Sequence, residues 1–246
     1  MIIRHLLLAA GLLCPAAAFA QSPAQPAEHA IPAQLVSVQR TVLSAEIPAK
    51  IEKITVKEGD RFDKGQVLVA FDCALQRAQL TEAQALAAAA EKTRSAHARL
   101  LQLNATGELD LAKATSEAVV AKAKVNSAEV LVSKCAIAAP FAGRVAERKA
   151  EPHQYAQAGQ ALLEILDDGA LEAEFIVPSA WAPKLKNGMA VNIVVDETKK
   201  TYPARIVRLG AKVDAVSHSV KIAAAIENRY PELLAGMSGG VRVSPP

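Results

Sequence analysis

Apolar and polar residues alternate along Ile51-Glu52-Lys53-Ile54-Thr55-Val56, turn at Gly59-Asp60 and, after Lys64-Gly65-Gln66, resume as Val67-Leu68-Val69-Ala70-Phe71-Asp72. The same arrangement returns downstream. Ala136-Ile137-Ala138-Ala139-Pro140-Phe141 leads through Ala142-Gly143-Arg144-Val145 and, after Ala158-Gly159-Gln160, ends in Ala161-Leu162-Leu163-Glu164-Ile165. A period of two marks half-buried strands, and Gly tolerates the positive φ that tight turns between them need. Gly59, Asp60, Gly65, Pro140, Gly143 and Gly159 are read as the turn residues. Two copies of one pattern predict two halves of a single small β-sandwich.

Between the copies the period becomes helical. Residues 74–103 contain no Gly or Pro and are dense in Ala, Leu, Gln, Glu and Arg, with a stripe at Leu86, Ala89, Thr93, Ala96, Leu100 and Leu103. Turn residues at 104–107 break the run. From 108 to 133 a heptad follows in Leu111, Ala114, Ala118, Ala121, Val125, Ala128 and Val132. So narrow a seam buries one partner helix, and Ala at most of its positions lets the backbones approach closely. The expectation is an antiparallel coiled-coil hairpin with arms roughly 40 Å long. The alternative is packing against the protein body. Lys113, Glu117, Lys122, Lys124 and Glu129 leave the second helix little else to bury, which favours a projecting arm. Such an arm suits docking better than catalysis.

Beyond the second half-motif, residues 171–177, 189–195, 202–209 and 220–225 read as further strands separated by polar turns, and Gly236-Met237 precedes a last strand at Val241-Arg242-Val243. Many short strands of this kind fit a small β-barrel, with Gly236 as another structural turn and Trp181 capping one end. The fold class expected is mainly β with one long α-helical hairpin, in an elongated modular arrangement. At the N-terminus, Arg4, the apolar run 6–13 and Ala18-Phe19-Ala20 form an export signal with cleavage before Gln21. A retained anchor is the competing reading; Pro15 interrupts the run, which is shorter than the roughly 20 residues of a spanning helix. The domain reading is 1–20 signal peptide, 21–43 flexible leader and first strand (the leader running to Gln34), 44–73 first sandwich half, 74–134 helical hairpin, 135–169 second half and 170–246 barrel.

Charge and chemistry narrow the function. With 28 Lys and Arg against 25 Asp and Glu there is no electrostatic case for nucleic acid, and 4% aromatics supply little material for stacking platforms. His29, His97, His153 and His218 have no metal-ligand spacing, and Met189 and Met237 are too few for a soft-metal cluster. No catalytic residue, metal or cofactor is expected. Covalent lipoylation or biotinylation of the β-halves would need a Lys at an exposed hairpin between them, where this chain has its long helices instead. Cys73 and Cys135, the cysteines left after the signal is removed, bracket those helices symmetrically about Asn104. Equal antiparallel arms would bring them together as a disulfide in an oxidising compartment. Two separate buried thiols are the alternative.

The whole exported chain resembles the periplasmic adaptors, or membrane fusion proteins, of bacterial tripartite efflux and secretion systems, the HlyD family. Their lipoyl-like domain is split by an α-helical hairpin and followed by a β-barrel. The likeness rests on Val56-Lys57-Glu58-Gly59-Asp60 with Gly65-Gln66-Val67-Leu68, on Ile137-Ala138-Ala139-Pro140-Phe141-Ala142-Gly143-Arg144-Val145 with Gly159-Gln160, and on Val213-Asp214, Val220, Leu234 and Gly236-Met237. It departs from the family at Lys50, Ala142 and Ala235, where Gly, an acidic residue and Pro are usual. The family's membrane-proximal domain has no evident counterpart in this sequence. The resemblance implies a non-enzymatic protein of the periplasm, held at the inner membrane by a transporter. It also implies a homo-oligomeric, commonly hexameric ring linking an inner-membrane efflux pump, of the RND type, to an outer-membrane exit duct. An adaptor for an ABC-type exporter and a stand-alone periplasmic scaffold or binding module are the alternatives. In the family the hairpin tip meets the duct through Arg, Leu four later and Ser seven after that. Arg99 and Leu103 match and Asp110 takes the Ser place, so Arg99, Leu103, Asn104, Gly107, Glu108 and Asp110 form the expected docking tip.

Overall fold

The computed structural model describes residues 30–243. The signal segment 1–20 and the leader up to residue 29 lie outside the described residues. The chain runs β1 (Ile31–Ser37), β2 (Arg40–Ser44), β3 (Ala49–Ile54), β4 (Arg61–Phe62), β5 (Val67–Phe71), α1 (Ala74–Gln102), α2 (Glu108–Ser133), β6 (Ala136–Ala138), β7 (Gly143–Arg148), β8 (Tyr155–Ala156), β9 (Ala161–Leu166), β10 (Leu171–Pro178), a 3-10 helix (Ser179–Lys184), β11 (Ala190–Val195), β12 (Thr201–Leu209), β13 (Ser219–Ile226) and β14 (Ser238–Arg242).

Neither half-motif forms a sheet by itself. One four-stranded sheet has the order β2-β9-β7-β4 and the other β6-β5-β3-β8, so each takes strands from both sides of the helices. The orders map onto one another when β2, β3, β4 and β5 are exchanged for β6, β7, β8 and β9. Four turns carry the same symmetry. Gln66 N–H and Gln160 N–H donate to the carbonyls of Asp63 and Gln157 at 3.1 and 3.0 Å, while the Gln side-chain oxygens accept from Asp63 N–H and Gln157 N–H at 3.0 Å each. Lys57–Asp60 and Glu151–Gln154 close alike, through Asp60 Oδ2 at 2.8 Å and Gln154 Oε1 at 3.1 Å. Gly59, Gly65 and Gly159 all sit at φ 83°. In the remaining turn His153 takes the left-handed place at φ 70°. Gly143 is required for another reason, since a Cβ there would collide with the Leu166 carbonyl. Inside, Ile51, Leu68, Phe71, Leu162 and Ile165 are fully buried, and Phe141, next to Pro140, packs against them from the edge.

The second core fills a closed barrel ordered β1-β10-β13-β12-β11-β14 around Leu35, Phe175, Ile193, Ile206, Ile222 and Val241. Here the structure corrects the expectation of a leader through Gln34. Residues 31–37 form a strand that pairs with β10 on one side and β14 on the other. Without it the ring would expose two unpaired edges, and its inward residues Ala33 and Leu35 complete the core. Trp181 packs partly buried at one end of the barrel, and Gly236 turns into β14 at φ 97°.

A carboxylate joins the two β-units. Asp168, on the segment from β9 to β10, meets Arg61 Nη2 at 2.8 Å and Arg144 Nε at 3.4 Å on the sandwich, and Arg229 Nη2 at 3.1 Å beyond β13. The 3.4 Å approach is an ion pair without hydrogen-bond geometry, which leaves the buried Arg144 Nε without a hydrogen-bond acceptor. Asp168→Asn would leave three guanidinium groups facing one another. Two of them are half exposed and screened, so a loss of about 1–2 kcal/mol is expected, read as a lower Tm, whereas an unchanged melting curve would contradict the role.

Glu164 on β9 is nearly buried and accepts a hydrogen bond from Arg40 Nε at 2.6 Å, with Lys149 Nζ at 3.2 Å. The Lys149 hydrogen bond first, and then Arg40, hold its carboxyl below the ordinary 4.5. Its contribution to stability is therefore complete above that value and is lost as pH falls through the lower, folded one. The denaturation midpoint should drop on acidification, and Glu164→Gln should flatten that part of the profile. An identical acid limb in the variant would contradict this.

Candidate functional site

The part of the chain that leaves both cores is the helical pair. α1 and α2 are 29 and 26 residues, about 44 and 39 Å at the helical rise, and lie antiparallel. On α2 the inward residues are those the heptad named, with Ala114, Val125 and Ala128 buried and Leu111, Ala118, Ala121 and Val132 half-buried. On α1 the expected stripe is corrected by one residue. The half-buried line is Gln76, Leu80, Ala83, Ala87, Ala90, Arg94, His97 and Leu101, while Leu86 is 52% exposed. Gln76, Arg94 and His97 lie in the seam, so hydrophobicity did not mark it. Arg94 is held there by Glu91, with Nε to Oε2 at 2.9 Å.

At the base, Cys73 and Cys135 are bonded, with their Cα atoms 6.0 Å apart, and both side chains belong to the sandwich core. The bridge closes both strand-to-helix junctions at once. It fixes the direction in which the arm leaves.

At the far end the structure brings the candidate residues together. Arg99 lies exposed in the last turn of α1, and its carbonyl accepts from Leu103 N–H at 3.3 Å. Leu103 is 69% exposed, and Asn104 turns the chain at φ 55°. Gly107 precedes α2 in an extended conformation, φ −90°, so it is not there for left-handed backbone. Glu108 and Asp110 supply acidic charge to the first turn, where the helix dipole favours it. Asp110 Oδ2 accepts from Thr106 Oγ1 at 2.9 Å; that bond, then the Gly107 backbone, then the nearby His97 and Lys113 keep its carboxyl below the ordinary range. Asp110 is thus engaged in shaping the connection. The outward features are Arg99, Leu103 and, unforeseen from sequence, Leu109 at 81% exposure. Its signal was present, because a seam through Leu111 turns residue 109 outward.

Among the described residues no group of His, Cys, Asp and Glu could hold a metal ion, and no helix is long and apolar enough to cross a membrane. Open grooves run along the helices, one of them lined by Arg99, Leu100 and Leu103. The site offers an apolar knob, Leu103 and Leu109, with Arg99, Glu108 and Asp110 exposed around it at the end of a long stalk. Its exposed side chains suit docking.

No protein-family model matches the sequence. The chain is 29% identical over 215 residues to an uncharacterized protein of Haemophilus influenzae and 26% identical over 227 residues to the nodulation protein NolF of Rhizobium meliloti, 85% of this chain being matched in each case. It spans 55% and 61% of the length of these curated relatives. Among solved structures, a MacA–MexA chimaera containing the Pseudomonas aeruginosa MexA α-hairpin domain matches at TM-score 0.78 and 21% identity, covering 87% of this chain and 80% of that one. The membrane fusion protein Spr0693 of Streptococcus pneumoniae R6 matches at TM-score 0.74 and 15% identity, covering 87% and 97%. At 21% and 15% identity these likenesses concern the fold, and the fold of this chain is that of the membrane fusion proteins.

Proposed function

We propose that the chain is a non-enzymatic periplasmic adaptor that links an inner-membrane efflux transporter to an outer-membrane exit duct for export of small molecules. The observation that carries this reading is the arm. Two long helices bury only each other, a bridge at their base fixes their exit from the sandwich, and Arg99, Leu103 and Leu109 stand exposed at the far end. Such a build transmits a docking contact across a distance of about 40 Å without moving the cores. The membrane fusion fold supports the same reading, and the export signal in the sequence supplies the compartment. The adaptor works as a homo-oligomeric ring, hexameric as in the family it resembles, with an RND-type pump as partner. Capture of the tagged chain from crosslinked, solubilised envelopes tests this. Recovery of other copies together with a large inner-membrane transporter is expected, and an ATP-binding subunit among the captured proteins would replace the RND assignment with an ABC one. Recovery of the chain alone, as a monomer, would overturn the adaptor reading.

A further inference from the structure

One nitrogen in the seam of the helical pair is left without a partner. His97 lies on the inward line of α1, three residues after Arg94, and its Nδ1 is buried with no hydrogen bond. The surroundings account for this. Folding about Asn104 sets residue 97 level with 111, so the inward neighbours of the imidazole are Arg94 and Leu101 on α1 and Leu111 and Ala114 on α2, side chains that carry no acceptor. Main-chain acceptors nearby are taken. The carbonyls of Arg99, Leu100 and Leu101 accept from the N–H groups of Leu103, Ala105 and Asn104 at 3.3, 2.9 and 2.9 Å. A buried polar atom without a partner is uncommon in native structures and calls for a reason.

The charged groups around it include one suitable acceptor. On α1, Arg94 is held by Glu91, with Nη2 to Oε1 at 2.5 Å, and Arg99 stands exposed in the last turn. On α2, Glu108 is exposed in the first turn, Asp110 precedes Leu111 and Lys113 follows it. The Asp110 carboxylate and the His97 imidazole are close enough to act on one another's charge. Asp110 also shapes the connection, since its Oδ2 accepts from Thr106 Oγ1 at 2.9 Å and its N–H donates to the Gly107 carbonyl at 3.2 Å. We infer that His97 is a proton-operated latch on the tip: the neutral imidazole leaves Nδ1 idle, and the imidazolium donates from it to Asp110, tying α1 to the connection and to the first turn of α2. Imidazole is the side chain that takes up a proton between about pH 5 and 8, and in its charged form both ring nitrogens donate. The latch belongs to the charged form. It is closed below the titration of His97 and opens as pH rises through it, while Asp110, whose carboxyl is kept below the ordinary range, stays available as acceptor in mild acid.

The latch concerns the shape of the tip; its consequence, an arm that docks more firmly in mild acid, rests on the adaptor reading. Two variants keep the seam intact. Gln76 already occupies the inward line, so His97→Gln should fold, and Asp110→Asn retains an oxygen for Thr106 Oγ1. In the full chain, the midpoint of the His97 ring titration followed by NMR should be lower by about half a pH unit in Asp110→Asn than in the parental protein. That is less than the roughly one to three units of a close buried pair, because the end of the arm is exposed. Half a unit is a factor of about three in proton affinity, and by linkage the same factor in the stability of the tip. Amide exchange at residues 104–111, corrected for its intrinsic pH dependence, should therefore be about threefold slower at about pH 5.5 than at about pH 8, and His97→Gln should abolish the difference. An equal His97 midpoint in the two proteins, or protection of the parental tip that does not follow pH, would overturn the latch. If protection follows pH while a crosslinker at position 103 finds no outer-membrane partner at either pH, the latch stands and the adaptor reading falls.

Discussion

Replacing Leu103 by Asp, or Arg99 by Glu, is expected to abolish export while abundance and melting temperature stay as they were. Both side chains are exposed at the end of the arm, where substitutions shift stability by under about 0.5 kcal/mol. If the tip seats in an exit duct, the same change places an unpaired carboxylate in a desolvated contact, or removes its cation. Either costs about 2–5 kcal/mol, enough to weaken docking by roughly 30-fold or more at each contact. A ring repeats the loss at every copy. Leu109→Asp should behave in the same way, because it shares the exposed face of the connection. Asp110→Ala should act differently, by loosening the Thr106 contact that shapes the start of α2. Export at the parental rate by both Leu103→Asp and Arg99→Glu, with normal abundance, would mean that the tip meets nothing.

The second large effect lies at the other end of the arm. Cys73→Ser, Cys135→Ser or the double variant should lower stability by about 4 kcal/mol in the chain-entropy model, given a loop with a sequence separation of 62. For a chain of this size that corresponds to a fall in Tm on the order of 10 °C. The loss should fall on the sandwich, since both side chains lie in its core and each bonded residue begins or follows a helix. Reductant should reproduce it in the parental protein. Two alkylatable thiols in the periplasmic protein without reductant, or a melting curve indifferent to the double substitution, would contradict the bridge.

What could be read in the sequence follows the range over which each structural cause acts. The α2 seam was legible residue by residue because larger side chains at Leu111, Val125 and Val132 stand out among alanines. The α1 seam was not. Its alanines at 87, 88, 89 and 90 look alike on every face, and the inward line includes Gln76, Arg94 and His97, so the apolar stripe that stands out points to solvent. The disulfide was legible because symmetric arms make a geometric demand that can be stated without coordinates. The first half of the barrel strand at 31–37 was hidden for the opposite reason. Its partners lie at 171–175 and 238–241, and its own Pro32 and Ala33 resemble a leader until the closing edge is known. The turn at 151–154 escaped because His153 occupies the left-handed position where its counterpart has Gly59. At the tip, Arg99 and Leu103 came from family resemblance, whereas Leu109 follows from the phase of α2.

The most direct test of the adaptor account is a photo-crosslinking amino acid placed at position 103 of the otherwise unchanged chain, irradiated in intact envelopes. The account predicts one dominant adduct with an outer-membrane channel protein, absent when the crosslinker is moved to the buried face at position 125. Adducts only with other copies of the chain, or no outer-membrane adduct at all, would contradict it.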